Sequence, residues 1–116
     1  MRNIQHHVLI ITCNDKNTLE LIRQKAADLF KTYMEASSGS KLLTEIKESL
    51  INNYFTFFII PDGSKEGSDA SDDGDIIRQK LIEHIKTVIS STEFHLSYAE
   101  LAFGGDDGKA SIINYH

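Results

Sequence analysis

The stretch "LLTEIKESLINNYFTFFII", residues 42–60, decides the fold. Leu42, Ile46 and Leu50 stand four apart, a spacing that suits one face of a helix. Asn52-Asn53 then interrupts the pattern, and asparagine tolerates the positive φ that a tight turn requires. "YFTFFII" (54–60) is rich in aromatic and β-branched residues and reads as a strand. Two readings compete, a short helix followed by a strand, or a hairpin. The Asn-Asn turn favours the hairpin, with residues 44–51 as its weaker, edge-like arm.

Working outward from this hairpin, "HHVLIITC" (6–13) reads as a strand. Val8 and Ile10 make one face apolar, and Leu9 and Ile11 the other, which predicts a central strand covered on both faces. "NTLELIRQKAADLFKTYM" (17–34) places Leu19, Ile22, Ala26, Leu29, Phe30 and Tyr33 at helical spacing. Asn17 with Glu20 three residues on resembles a capping box. "EASSGSK" (35–41) is a small-residue loop. Beyond the hairpin, "DIIRQKLIEHIKTVIS" (75–90) carries a stripe of Ile77, Leu81, Ile85 and Val88, widened by Ile82 and Ile89. Ser71 or Asp72 is its expected cap. "FHLSYAELAF" (94–103) is a strand whose apolar parity shifts from Phe94, Leu96 and Tyr98 to Leu101 and Phe103, which predicts a bulge or bend near Ala99 and Glu100. "GGDDGK" (104–109) is a turn, and "ASIINY" (110–115) a final strand. The order predicts an α+β chain: a ferredoxin-like βαββαβ sandwich with an added C-terminal strand and an antiparallel sheet, residues 1–116 forming a single domain.

At 116 residues the chain is long enough to bury a core without staples. One cysteine, Cys13, leaves no internal disulfide framework and suits a reducing compartment. With no apolar run near the ~20 residues of a membrane span and no signal-peptide pattern, the expected location is cytoplasmic, with no membrane partner. Net charge is −5. Residues 62–75 hold Asp62, Glu66, Asp69, Asp72, Asp73 and Asp75 against Lys65, so this segment alone accounts for it. No basic stripe exists, which argues against nucleic acid as a partner.

That acidic segment opens "PDGSKEGSDASDDGDIIRQ" (61–79). Pro61, Asp62, Gly63, Ser64, Lys65, Glu66 and Gly67 are succeeded by Ser71, Asp72, Gly74, Asp75 and Arg78, and later by Phe103 with "GGDD". This order resembles a family of small uncharacterised proteins of phages and prophages. Their pattern runs Pro-Asp-Gly-Ser-Lys-Glu-Gly-Trp, then Ser-Asp, one residue, Gly-Asp, two residues and Arg, then an amphipathic helix. Ser68 stands at the usual Trp position, and Asn53 replaces the turn Gly. The match covers about a third of the chain. It implies a phage or mobile-element origin and carries no activity to transfer.

Several chemistries compete for this segment. Asp69, Ser71 and Asp73 with Gly74 imitate the start of an EF-hand loop, but Lys80 stands where the bidentate glutamate belongs. A looser Ca²⁺ or Mg²⁺ site would use Asp69, Asp73 and Asp75, as part of a cation-binding and hydrolytic alternative. A phosphate cradle on Gly63, Gly67 and Gly74 with Lys65 lacks a Gly-Lys-Ser/Thr motif and is ringed by acids. Asp72/Asp73 and Asp106/Asp107 are paired carboxylates, but Gly/Ser/Asp-rich tips are wet and do not shift a catalytic pKa. His6 and His7 are adjacent and face opposite sides of a strand, so they make a poor zinc pair. Cys13 reads as a buried structural thiol. The crowded aromatics of 54–58 would leave one set on an uncovered sheet face, open to a partner protein or a second copy. The leading expectation is a non-enzymatic interaction module with a protein partner, using Asp62, Lys65, Glu66, Asp69, Asp72 and Asp73. A structural homo-oligomer is a further alternative.

Overall fold

The structure, a computed structural model, describes residues 4–34, 40–65, 67–105 and 108–116. Two helices pack on a five-stranded antiparallel sheet, an α+β fold. In chain order the elements are β1 (Gln5–Cys13), α1 (Lys16–Tyr33), a 3₁₀ turn (Ser40–Leu42), β2 (Lys47–Glu48), β3 (Phe55–Ile59), α2 (Asp69–Ser91), β4 (Leu96–Gly104) and β5 (Ser111–Tyr115). The strands lie in the order β2-β3-β1-β4-β5, each antiparallel to its neighbours.

The hairpin reading of 42–60 holds, with a shorter first arm. Asn52 and Asn53 both take positive φ, 69° and 54°, as the turn requires. Only Lys47 and Glu48 form regular strand, opposite Thr56 and Phe55. Upstream, Leu43 bridges to Ile59, and the Thr44 hydroxyl accepts from the Phe58 N–H at 2.8 Å. Between these pieces Ile46 packs against the core, which breaks the ladder. Leu50, a member of the alternative helical stripe, is fully exposed at the loop tip.

Register fixes which side chains meet. Leu9, Ile11 and Cys13 of β1 lie opposite Ile59, Phe57 and Phe55 of β3, and opposite Glu100, Tyr98 and Leu96 of β4. This inner face packs beneath Leu19, Ile22, Ala26, Leu29 and Phe30 of α1 and Ile77, Leu81, Ile82 and Ile85 of α2. Cys13 is fully buried, and burial pushes its thiol pKa up, as expected of a structural cysteine. The opposite, outer face has no covering layer among the described residues. Val8 and Ile10 are only half-buried there, so the expectation that β1 is covered on both faces is corrected: it is central, but covered on one side.

Both helix caps sit upstream of their expected positions. For α1 the cap is Asp15, not Asn17: its carboxylate accepts from the Thr18 N–H at 2.9 Å and hydroxyl at 2.7 Å. For α2 it is Ser68, not Ser71 or Asp72, with the Ser71 N–H donating to the Ser68 hydroxyl at 3.2 Å. Helix α2 thus begins six residues before the predicted start. The reason is the acids: Asp69 and Asp72 occupy the first turn, where the N-terminal partial positive charge favours them. Ser68 is therefore a cap.

Strand β4 keeps one parity throughout, with Leu96, Tyr98, Glu100 and Ala102 buried. The predicted shift of parity is an illusion created by Glu100, an acid in an inward slot. The irregularity itself lies in the pairing with β5, between Glu100 and Leu101. Glu100 pairs Asn114 and Leu101 pairs Ile112, so Ile113 is the extra residue.

Candidate functional site

The acidic segment divides into a turn and a helix start. Asp62 closes a local turn, accepting from the Ser64 N–H at 2.9 Å and hydroxyl at 2.7 Å. Gly63 and Gly67 both take positive φ, 78° and 82°, a backbone shape for which glycine is suited. The Lys65 carbonyl accepts from the Ser68 N–H and hydroxyl at 3.1 and 2.7 Å, turning the chain into α2. Asp62, Lys65, Asp69 and Asp72 are exposed, and Asp73 is half-exposed. Glu66 and the pair Asp106/Asp107 lie outside the described residues. Of the three acids considered for a cation, Asp69 and Asp73 stand one turn apart on α2, and Asp75 is turned to Arg78. Among the described residues, no group of three or more His, Cys, Asp or Glu side chains is placed to hold a metal. Gly74 is a helix residue rather than a loop glycine, so the three-glycine cradle does not assemble.

What the structure does assemble is a buried polar cluster around Arg78. Arg78 and Glu100 are only 8% and 7% exposed. The Arg78 Nε donates to the Glu100 carboxylate at 3.1 Å, and its Nη2 donates to Asp75. The other Glu100 oxygen accepts from the Asn114 side-chain amide at 2.7 Å. A β-carbon at Gly74 would lie 3.2 Å from Arg78 Nη1, so the glycine admits the guanidinium against the helix. Gln5, His7, Asp62, Ser64, Ser71 and Arg78 line a cavity of about 10 Å³, the size of a single water.

Asp75 therefore accepts from the guanidinium of Arg78 and Gly74 makes room for it, while Asp62, Ser64 and Ser71 line the small cavity that Arg78 also lines. Sequence reasoning places Asp62, Ser64 and Gly74 on an exposed loop, Ser71 at a helix cap and Asp75 at the helix start, and does not single out Arg78 and Glu100 as a pair. One signal is present: an acid at an inward position of an otherwise apolar alternation in β4 asks for a buried partner. Arg78, Asp75, Glu100 and Asn114 hydrogen-bond one another and so tie α2 to β4 and β5, and an open cleft beside them is lined by His7, Asp75, Gln79, Lys86, Glu100 and Asn114.

Elsewhere, His84 on α2 has its pKa lowered, first by burial and then by Lys25 of α1. His6 and His7 face opposite sides of β1, as expected from adjacency: His6 pairs Phe103 and His7 pairs Ala102. The Tyr98 pKa is raised by burial, and further by Glu100. No helix among the described residues is long and apolar enough to cross a membrane. Comparisons with family models, with curated proteins and with solved structures found no match.

Proposed function

We propose that this chain is a non-enzymatic protein-interaction module of phage or prophage type, whose acidic segment contacts a basic surface on another protein. The observation that carries this reading is the contrast within the segment. Asp75 is spent on Arg78, whereas Asp62, Asp69, Asp72 and Asp73 have no cationic partner among the described residues and reach solvent. Exposed acids that form no ion pair within the described residues are free to complement a cationic partner, where charge sets encounter rate and selectivity. The buried Arg78–Glu100 pair, in turn, holds α2 against β4 beneath that segment. The fold assignment proposed alongside is the ferredoxin-like split βαβ arrangement with a fifth strand, supported by the order β2-β3-β1-β4 with antiparallel neighbours.

The test is capture of proteins from a bacterial lysate on the immobilised chain, repeated with Asp69→Asn/Asp72→Asn/Asp73→Asn. A captured partner should bind the variant at least tenfold more weakly, while circular dichroism stays unchanged. Equal affinity for both forms would defeat the acidic-surface reading. Thermal shift with millimolar Ca²⁺ or Mg²⁺ runs beside it, and a raised midpoint there would favour the cation-binding alternative.

A further inference from the structure

The outer face of the sheet presents an unanswered apolar surface. In register, Ile10 lies beside Phe58 and Ala99, Val8 beside Leu101, and Leu101 beside Ile112. Phe58 and Phe103 are 39% and 40% exposed, and Ile112 is 64% exposed. None of the outer-face positions on β1, β3, β4 and β5 holds an Asp, Glu, Lys or Arg among the described residues. The nearest such side chain in the ladder is Lys47, at the far edge opposite Thr56, and Glu45 lies 3.9 Å from it. Thr12 and Thr56 on this face hydrogen-bond each other at 2.8 Å, which offsets part of the cost of covering them.

We infer that a second copy of this chain covers this face, the two sheets packing face to face about a two-fold axis. Charge supports this occupant. The chain carries −5, none of the described acids occupies an outer-face position of β1, β3, β4 or β5, and two such faces bring no like charges together there. A nucleic acid or an anionic lipid surface would need cations that the face lacks. Area supports it as well. The four uncharged strands at ~4.8 Å spacing, with lengths averaging ~23 Å, give about 450 Å² of flat area per copy. The pair then buries about 900 Å² of flat area, and side-chain relief brings this to the ~1,000 Å² lower bound for a specific interface. Sheets packed this way sit about 10 Å apart, with Phe58, Phe103, Val8 and Leu101 interdigitating. The apolar residues on both faces of β1 then have one explanation: the helices cover one face and the partner copy the other.

Sedimentation equilibrium across about 5–500 μM measures this directly. The expected result is a reversible monomer–dimer equilibrium built on the 13.1 kDa chain. Phe58→Lys and, separately, Phe103→Lys should each weaken dimerisation at least tenfold with unchanged circular dichroism. Leu21→Lys, on exposed α1 surface, should leave it intact. A wild-type chain that stays monomeric throughout, or forms any species other than a dimer, overturns the inference. So does a dimer that survives both sheet-face substitutions. Should one lysine variant not fold, the other and the wild-type mass still decide the matter.

Discussion

At the scale of single residues, the Arg78–Glu100 pair has the largest consequence for stability. Each partner is buried, so removing one leaves the other charged in a site of low dielectric. Arg78→Met should cost about 3–5 kcal/mol in urea denaturation, and Glu100→Leu added to it should restore most of that loss. A double variant as unstable as the single would mean that the guanidinium acts through packing and Asp75 rather than through Glu100. Gly74→Ala makes a finer test. In most helices this change adds about 1 kcal/mol of stability. Here the new methyl group meets an Arg78 nitrogen 3.2 Å away, on a guanidinium held in place by two carboxylates. The gain should vanish in the wild-type background and reappear with Arg78→Met.

His84 also belongs to this scale. Its folded pKa lies below the ordinary 6.5, so between the two values the unfolded chain binds a proton that the folded chain refuses. Its effect is therefore to lower stability as pH falls through 6.5, a loss complete below the folded pKa. The drop in thermal midpoint between pH 7.5 and 5.5 should shrink in His84→Gln. An unchanged drop would assign the acid sensitivity to other groups.

At the scale of elements, the helix starts show how far local reasoning reaches. Both amphipathic stripes are legible because spacing alone reveals them: the buried residues of α1 are those of the predicted face. The caps are not, because several Asx and Ser residues stand in a row before each helix, and any of them has the chemistry to cap. Packing of the first helical turn makes the choice. Ser71 is needed inside, buried against the Arg78 cavity, so the cap moves up to Ser68. Ser68→Ala should accordingly cost about 1 kcal/mol and Asp15→Ala about 1–2 kcal/mol in thermal or urea unfolding. If Asn17→Ala proved as costly as Asp15→Ala, the cap assignment would fail. The first hairpin arm is likewise shorter than its sequence suggests. Its residues lack the apolar alternation of a strand, and Ile46 turns inward to the core at the expense of the ladder.

At the scale of the whole molecule, stability and association are coupled. If the sheet face closes on a second copy, dilution removes part of what holds the domain together. The thermal midpoint of the wild type should then rise with protein concentration, whereas that of Phe103→Lys should not. Calorimetry over a hundredfold concentration range checks this, and a flat midpoint for the wild type would count against a dimer of any geometry. The acidic segment is independent of this face, so its neutralisation should leave the concentration dependence as it was.

By itself, the sequence determined what rests on periodicity and turn chemistry: two helices, the strands around them, the Asn52-Asn53 turn and a buried Cys13. These arise from contacts within a few residues, and the pattern of side chains carries them. Tertiary structure alone decided that Arg78 meets Glu100 across 22 residues, and that Asn114 completes the pair from β5. It also brought Gly74 and Asp75 of the acidic segment against the Arg78 guanidinium. The physical reason is that a buried charge takes its partner from whatever the packing brings near, and no local pattern records which distant residue that is.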